Sequence, residues 1–363
     1  MSDILVKTNK PNRINLKPAL VLGSGFHHHV FNDWNSTQVR PLYDWQYLVG
    51  QVSNRLQVAV PNEVLSPVQQ WETLILRAVN EGYKNHKGEW VGPVTQQVNV
   101  VERAARRAVA SIINEASQNY PKSTRAKTPL SDCWGSVISL NFDVAWLPDD
   151  FSQNKSDTKI RWAGSSKLNL QEYERLTHHR LIKGVDGGVY RRVWFPNGSS
   201  FAPRTIRMGL HDYGTAPHSI QVAFSHLKKW ERDNSLSDKN PEVQMAGCAT
   251  ALRKTSEGVN NLSEFLGEPH MPVSWVADFL YRPLIIAGVG LSDQEHGLWW
   301  LLAQRARNIA RTKAPANIYI LVSEKNRPDF WRSRPFGIEP IFCSNWDDGW
   351  ERIIDKADGL PSN

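Results

Sequence analysis

The sequence has few of the features that would assign it quickly. It holds three cysteines, Cys133, Cys248 and Cys343, all far apart. No C-x-x-C pair occurs, which excludes a four-cysteine zinc site and a disulfide framework. Reduced, mostly buried thiols are expected. No apolar run approaches the ~20 residues that cross a bilayer. The opening Met-Ser-Asp-Ile-Leu-Val-Lys lacks the apolar stretch of a secretory signal. A soluble, cytoplasmic chain without membrane contact is the expected class. A complete G-x-G-x-x-G is also missing, because His28 stands at the third glycine's place. Internal repeats and low-complexity tracts are absent.

What remains can build a core. Forty per cent of the 363 residues are apolar, and the length suits one large domain or two modest ones. The formal charge is +7. Basic clusters occur at Arg103-Arg106-Arg107, Arg191-Arg192 and Lys228-Lys229, without a stripe of interleaved aromatics. Solvated helix faces are favoured over phosphate contact, of a dinucleotide or of nucleic acid. The fifteen tryptophans are scattered, which points to core and interface anchors.

Residues 1–18 are polar, contain Pro11 and Pro18, and form an arm without its own core. Residues 19–357 are expected to form one domain. Apolar runs from Pro18 to Gly23, Val137 to Leu140, Leu284 to Ala287 and Asn317 to Val322 suit strands buried on both faces of a parallel sheet. Helical spacing separates them. Ser66-Pro67-Val68-Gln69 supplies the hydroxyl, proline and glutamine of a helix start, and Gly82 its stop. Further helices are predicted over 95–118, over 217–231, and after the capping box Ser292-Asp293-Gln294-Glu295. Residues 148–205 have the pattern of an insertion, with a helical patch near 170–181 and hairpin turns at Gly187-Gly188 and Asn197-Gly198. The predicted fold class is α/β: a Rossmann-like, mostly parallel sheet with helices on both faces and an inserted helical and hairpin segment. Ligands of such sheets sit at the carboxyl ends of the strands.

Four elements can carry chemistry, three of them at strand ends, and each has two readings. Gly23-Ser24-Gly25-Phe26 lets backbone amides approach a pyrophosphate, or makes a tight turn. Asn141-Phe142-Asp143 offers an amide for a ribose hydroxyl or a water and a carboxylate that caps the following segment or holds a neighbouring loop; the other reading is simply a helix cap. Gly209-Leu210-His211-Asp212-Tyr213-Gly214 supplies a general acid or base, or a satisfied core histidine. Gly288-Val289-Gly290-Leu291-Ser292-Asp293 opens a helix, and there favours a phosphate or a capping carboxylate. The triplet His27-His28-His29 lacks a second set of ligands, so no metal is expected; one imidazole is expected over the nicotinamide or at a phosphate, with the others solvated.

In this order the four elements resemble the sirtuin superfamily. More narrowly they resemble the divergent sirtuin-like proteins of bacterial antiphage defence. Gly23-Ser24-Gly25 matches the family's opening glycine loop, and Leu140-Asn141-Phe142-Asp143 its Asn-Tyr/Ile-Asp signature. Leu210-His211-Asp212-Tyr213-Gly214 is similar to its His-Gly motif, with two residues interposed. Gly288 to Asp293 resembles the later glycine turn, and Phe336 to Ile341 the strand near the family's end. Two departures matter. The zinc ribbon of deacylating members cannot be built, and Phe26-His-His-His-Val-Phe31 replaces their Gly-Ile-Pro-x-Phe-Arg.

The resemblance therefore implies the NAD+-cleaving half of the family's chemistry. The expected activity is hydrolysis of NAD+ to nicotinamide and ADP-ribose, by the toxic effector of an antiphage system. It implies Asn141 and His211 as catalytic residues. Gly23, Ser24, Gly25, Phe26, Asp143, Gly288, Gly290 and Asp293 would contact the cofactor. Ser323 and Glu324, at the end of the last strand, either bind the adenosine ribose or form a surface loop. Control is expected from a separate sensor protein or from homo-oligomerisation, with nucleic acid engaged only indirectly. The alternatives are an NAD- or ADP-ribose-binding sensor without turnover, and an ADP-ribosyltransferase.

Overall fold

The computed structural model describes residues 16–31, 36–59, 65–94, 97–123, 125–147, 168, 170–177, 179–183, 190–234, 248, 251–252, 274–291, 295–312, 317–326 and 336–359. Its strands are β1 (Ala19–Leu22), β2 (Tyr83–Lys84), β3 (Trp90–Val91), β4 (Ser136–Ser139), β5 (His179–Lys183), β6 (Tyr190–Trp194), β7 (Leu284–Ala287), β8 (Ile318–Ser323) and β9 (Ile338–Cys343). Seven of them form one sheet in the order β5-β6-β4-β1-β7-β8-β9. Every pairing in it is parallel except β5 with β6. The chain lays β4 and then β6 to one side of β1. It then returns to lay β7, β8 and β9 on the other. The direction of winding thus reverses between β1 and β7, where open α/β sheets leave a crevice.

Side-chain alternation along the strands feeds two cores. Leu20, Leu22, Val137, Ile285 and Leu321 face one layer. Val21, Ile138, Leu284, Ile286 and Ile320 face the other. The first layer is covered by α2 (Trp45–Leu56), α3 (Pro67–Glu81), α4 (Val98–Ser117) and α9 (Trp346–Asp358). The second is covered by α5 (Leu170–Thr177), α6 (Leu210–Asp233), α7 (Trp275–Tyr281) and α8 (His296–Thr312). A short α1 (His27–Val30) follows β1. This is the predicted Rossmann-like sheet with helices on both faces. Each fully buried Leu or Phe contributes about 1.5–3 kcal/mol. The capping box at Ser66 forms as expected, and Gly82 ends α3 at φ 94°.

Three features depart from the expected pattern. The 148–205 segment does contain a helix and a hairpin, but the hairpin's second strand, β6, pairs in parallel with β4 and belongs to the main sheet. Arg191 and Arg192 interrupt its apolar run, which hid it. Those arginines are not a solvated face either: both are buried, as is Arg106. Burial pushes the Arg192 guanidinium down to about 9, against the opposing charge of Asp278. Finally, α6 starts at Leu210 and accommodates Pro217 internally. A proline late in the second turn costs one backbone hydrogen bond, and the buried face of α6 outweighs that loss.

Candidate active-site crevice

The loops after β1 and β7 interlock at the winding reversal. Gly23 N donates to Ala287 O at 2.9 Å, and Gly25 N donates to Gly288 O at 2.9 Å. A Cβ at Gly23 would lie 2.3 Å from Gly288 O, and one at Gly25 would lie 2.8 Å from Gly288 Cα. Gly288 has φ +68°, and its Cβ would meet Phe26 N at 2.4 Å. Glycine at 23, 25 and 288 is thus required by backbone packing alone. Gly290 differs, because its Cβ position faces open space. Ser24 and Gly25 are half-exposed, whereas the Phe26 ring is buried edge-on against Trp350 at 5.3 Å. Phe26 N donates to Gly23 O, so that residue holds the turn together. Asp293 lies outside the described residues.

Next to this turn, Leu140 N donates to Leu22 O at 2.8 Å and carries the β1–β4 pairing into the loop. Asn141 follows, 3% exposed, and its Nδ2 amine has no hydrogen-bond partner. Buried polar groups are almost always paired, so an orphaned amide at a strand's carboxyl end invites a ligand. Phe142 stacks on Trp45 at 5.0 Å. Asp143 is fully buried, with Oδ2 3.0 Å from His27 Nε2. This pair ties the loop after β4 to α1 and so fixes Asn141 relative to the glycine turn. Asp143 is therefore engaged by the protein itself. Of the histidine triplet, His27 and His29 are buried and His28 is exposed. Asp143→Ala strands the buried imidazole and should lower stability by about 3 kcal/mol, read as a shifted urea midpoint at constant slope. An unchanged midpoint would deny the clamp.

The third motif forms the first turn of α6. His211 is exposed there, while Asp212 is buried. Tyr213, half-buried, lies 6.1 Å from the Trp45 ring and so neighbours Phe142 through it. A cavity of about 30 Å³ opens between the ends of β4 and β6 and helices α6, α7 and α8. Leu140, Asn197, Arg207, Tyr213, Trp275 and Glu295 are among its walls. Asn197 Nδ2 donates to Leu140 O at 3.0 Å, and Arg207 N donates to Asn197 O at 2.8 Å, so the wall is braced. The structure thus gathers Gly23, Ser24, Gly25, Asn141, Gly288 and Gly290 at neighbouring strand ends. It does not bring His211 onto the cavity wall; Tyr213 of the same turn takes that place.

No protein-family model matches this chain, and no curated protein matches its sequence. The fold and the crevice are what it offers.

A buried ion network holds Arg207 on the cavity wall. Asp212 accepts from Arg175 at 2.8 Å, from Arg106 at 3.0 Å and from Met208 N at 3.1 Å. Glu172 accepts from Arg207 at 3.2 Å, and also from Arg175 and Ser219. Burial alone would raise both carboxyls. The neighbouring guanidiniums outweigh it and hold both below their ordinary values. A folded carboxyl with a lowered pKa binds protons less readily than the unfolded one. Its stabilisation is full above the ordinary range, near pH 4, and is lost as pH falls through the lowered values. Glu172→Gln should cost about 3 kcal/mol at pH 7 and flatten the acid limb of the stability curve. Thermal melts between pH 7 and pH 2 read both, and parallel acid limbs would refute the network's role.

Sequence patterns did not single out Arg207, and they read Glu295 only as a cap and Asn197 only as a turn. None of the three lies in a glycine motif, so only the assembled fold shows them facing one cavity. The cysteines are buried and free, and burial raises Cys133 to about 11 and Cys248 to about 12. Among the described residues no group of three or more His, Cys, Asp or Glu is placed to hold a metal. No described helix is long and apolar enough to cross a membrane.

Proposed function

We propose that the chain is a sirtuin-like NAD+ glycohydrolase, the effector of an antiphage defence system. The observation that carries this reading is the Asn141 amide, buried and unpartnered beside the winding reversal of a Rossmann-ordered sheet. Dinucleotides bind at that reversal in sheets of this order. The interlocked turn at Gly23, Gly25 and Gly288 supports the diphosphate there, with Gly290 open to it. Ser323 and Glu324, at and just after the end of β8, would bind the adenosine ribose.

The nicotinamide–ribose bond breaks through an oxocarbenium-like state, and nicotinamide leaves as a neutral molecule. Leaving-group acid catalysis is therefore unnecessary. The protein's task is to orient the ribose, exclude competing poses and deliver water. Asn141 holds the nicotinamide ribose or the attacking water. Of the two roles expected for His211, general base or ligand of a ribose hydroxyl, its exposed position on the first turn of α6 favours the second. An unrestrained NADase would exhaust its own cell, so activity waits on a partner protein or on self-assembly.

Incubation of the purified chain with NAD+, alone and with the proteins encoded beside it, tests the reading by free nicotinamide. Release of nicotinamide with matching ADP-ribose supports it. The second reading is an NAD- or ADP-ribose-binding sensor, and His211's position off the cavity wall favours it. Tight NAD+ binding with no nicotinamide in any combination would select that sensor.

A further inference from the structure

The cavity beside Asn141 has walls that point to a specific occupant. Its volume of about 30 Å³ holds one or two waters and excludes a nicotinamide ring. Two charges of opposite sign, Arg207 and Glu295, stand on its wall. An anion there would meet Glu295, and a cation would meet Arg207. A neutral hydroxyl or a water satisfies both. Arg207 is 6% exposed, and its Nε–H has no hydrogen-bond partner, so a donor is left over for an occupant. The Tyr213 phenol is held well above its ordinary pKa, by burial first and then by the Glu295 charge. It stays protonated and can donate too. Asn197 completes a polar wall within the two to four partners that a buried water requires.

Glu295 is also held in place. Its carbonyl accepts Trp299 N at 3.0 Å, which locks the residue at the start of α8.

We infer that this cavity stores the nucleophilic water and that Glu295, not His211, is the group that takes its proton. The inference rests on the NAD+ glycohydrolase reading. In the step, the water oxygen forms a bond to ribose C1′. The C1′–N bond breaks, and its electron pair leaves with nicotinamide. The water's proton passes to the Glu295 carboxylate. Arg207, Tyr213 and Asn197 orient the water, and Asn141 at the adjoining strand end holds the sugar. The products are nicotinamide and ADP-ribose, and Glu295 then loses its proton to solvent.

Two variants separate this role from a structural one. Glu295→Gln keeps the side-chain shape and removes the base. Its nicotinamide release should fall at least about 100-fold, with the NAD+ dissociation constant within about threefold of wild type. Glu295→Ala should be equally slow in buffer and should recover with sodium azide, giving an azido-ADP-ribose adduct. Azide needs no deprotonation and fits the vacated space. His211→Ala should retain more activity than either. Glu295→Gln within about threefold of wild type would overturn the inference, as would a folded Glu295→Ala that azide does not rescue. A wild-type chain that releases no nicotinamide would instead overturn the glycohydrolase reading on which the inference stands.

Discussion

Asn141→Ala should abolish nicotinamide release, by about 10²–10³-fold, with little change in stability. The rate effect follows from the loss of one preorganised hydrogen-bond donor beside the reacting ribose. The stability effect follows from the unbound fold. The Asn141 Nδ2 amine is buried and has no partner in the protein. Removing an unpaired buried polar group does not cost a hydrogen bond and relieves a desolvation penalty. The change in unfolding free energy should therefore stay within about 1 kcal/mol. Most buried asparagines would behave in the opposite way, because truncation breaks their bonds. Parallel rate and denaturation measurements on one variant distinguish the two cases. A variant that melts far below wild type while its folded fraction retains full turnover would mark Asn141 as structural.

Gly288→Ala should be the most damaging single-methyl change in the crevice. Its backbone has φ +68°, which an L side chain adopts at a cost of about 1 kcal/mol or more. The added Cβ would also lie 2.4 Å from Phe26 N and 2.8 Å from Gly25 C, both backbone atoms that cannot swing aside. Together these should cost about 3–5 kcal/mol, a large part of the ~5–15 kcal/mol that keeps a domain folded. Gly290→Ala is the control two residues away. Its Cβ position is open and its φ is not left-handed, so its stability should stay within about 0.5 kcal/mol of wild type. Equal melts for the two variants would show that the β1 and β7 loops do not interlock.

These predictions also mark what the residues alone reveal. β1, β4, β7 and β8 are legible because strands buried on both faces must be apolar throughout, and their sequences are. β6 is obscured because Arg191 and Arg192 take mid-strand positions and find partners inside the protein. The start of α6 is obscured by Pro217, a residue usually found at helix ends. The glycine positions are legible, but their cause is not: Gly23, Gly25 and Gly288 are glycines because the two loops touch each other. Asn141 is legible as a strand-end amide, whereas its missing partner shows only in three dimensions. Asp143 reads as a cap or as a holder of a neighbouring loop and is both: its Oδ1 accepts Ala145 N, and its Oδ2 pairs with buried His27, 116 positions away in the chain. Glu295 reads as the end of a capping box, and only packing against Tyr213 and Arg207 gives it a cavity.

In the proposed complex the crevice between the β1 and β7 loops takes NAD+ with its nicotinamide ribose at Asn141. A crystal structure with a non-cleavable carbocyclic NAD+ analogue tests it most directly. The diphosphate should lie over the turn formed by Gly23, Gly25 and Gly288, and a ring hydroxyl should lie within about 3 Å of Asn141 Nδ2. An analogue bound elsewhere, with that amine still unpartnered, would contradict it.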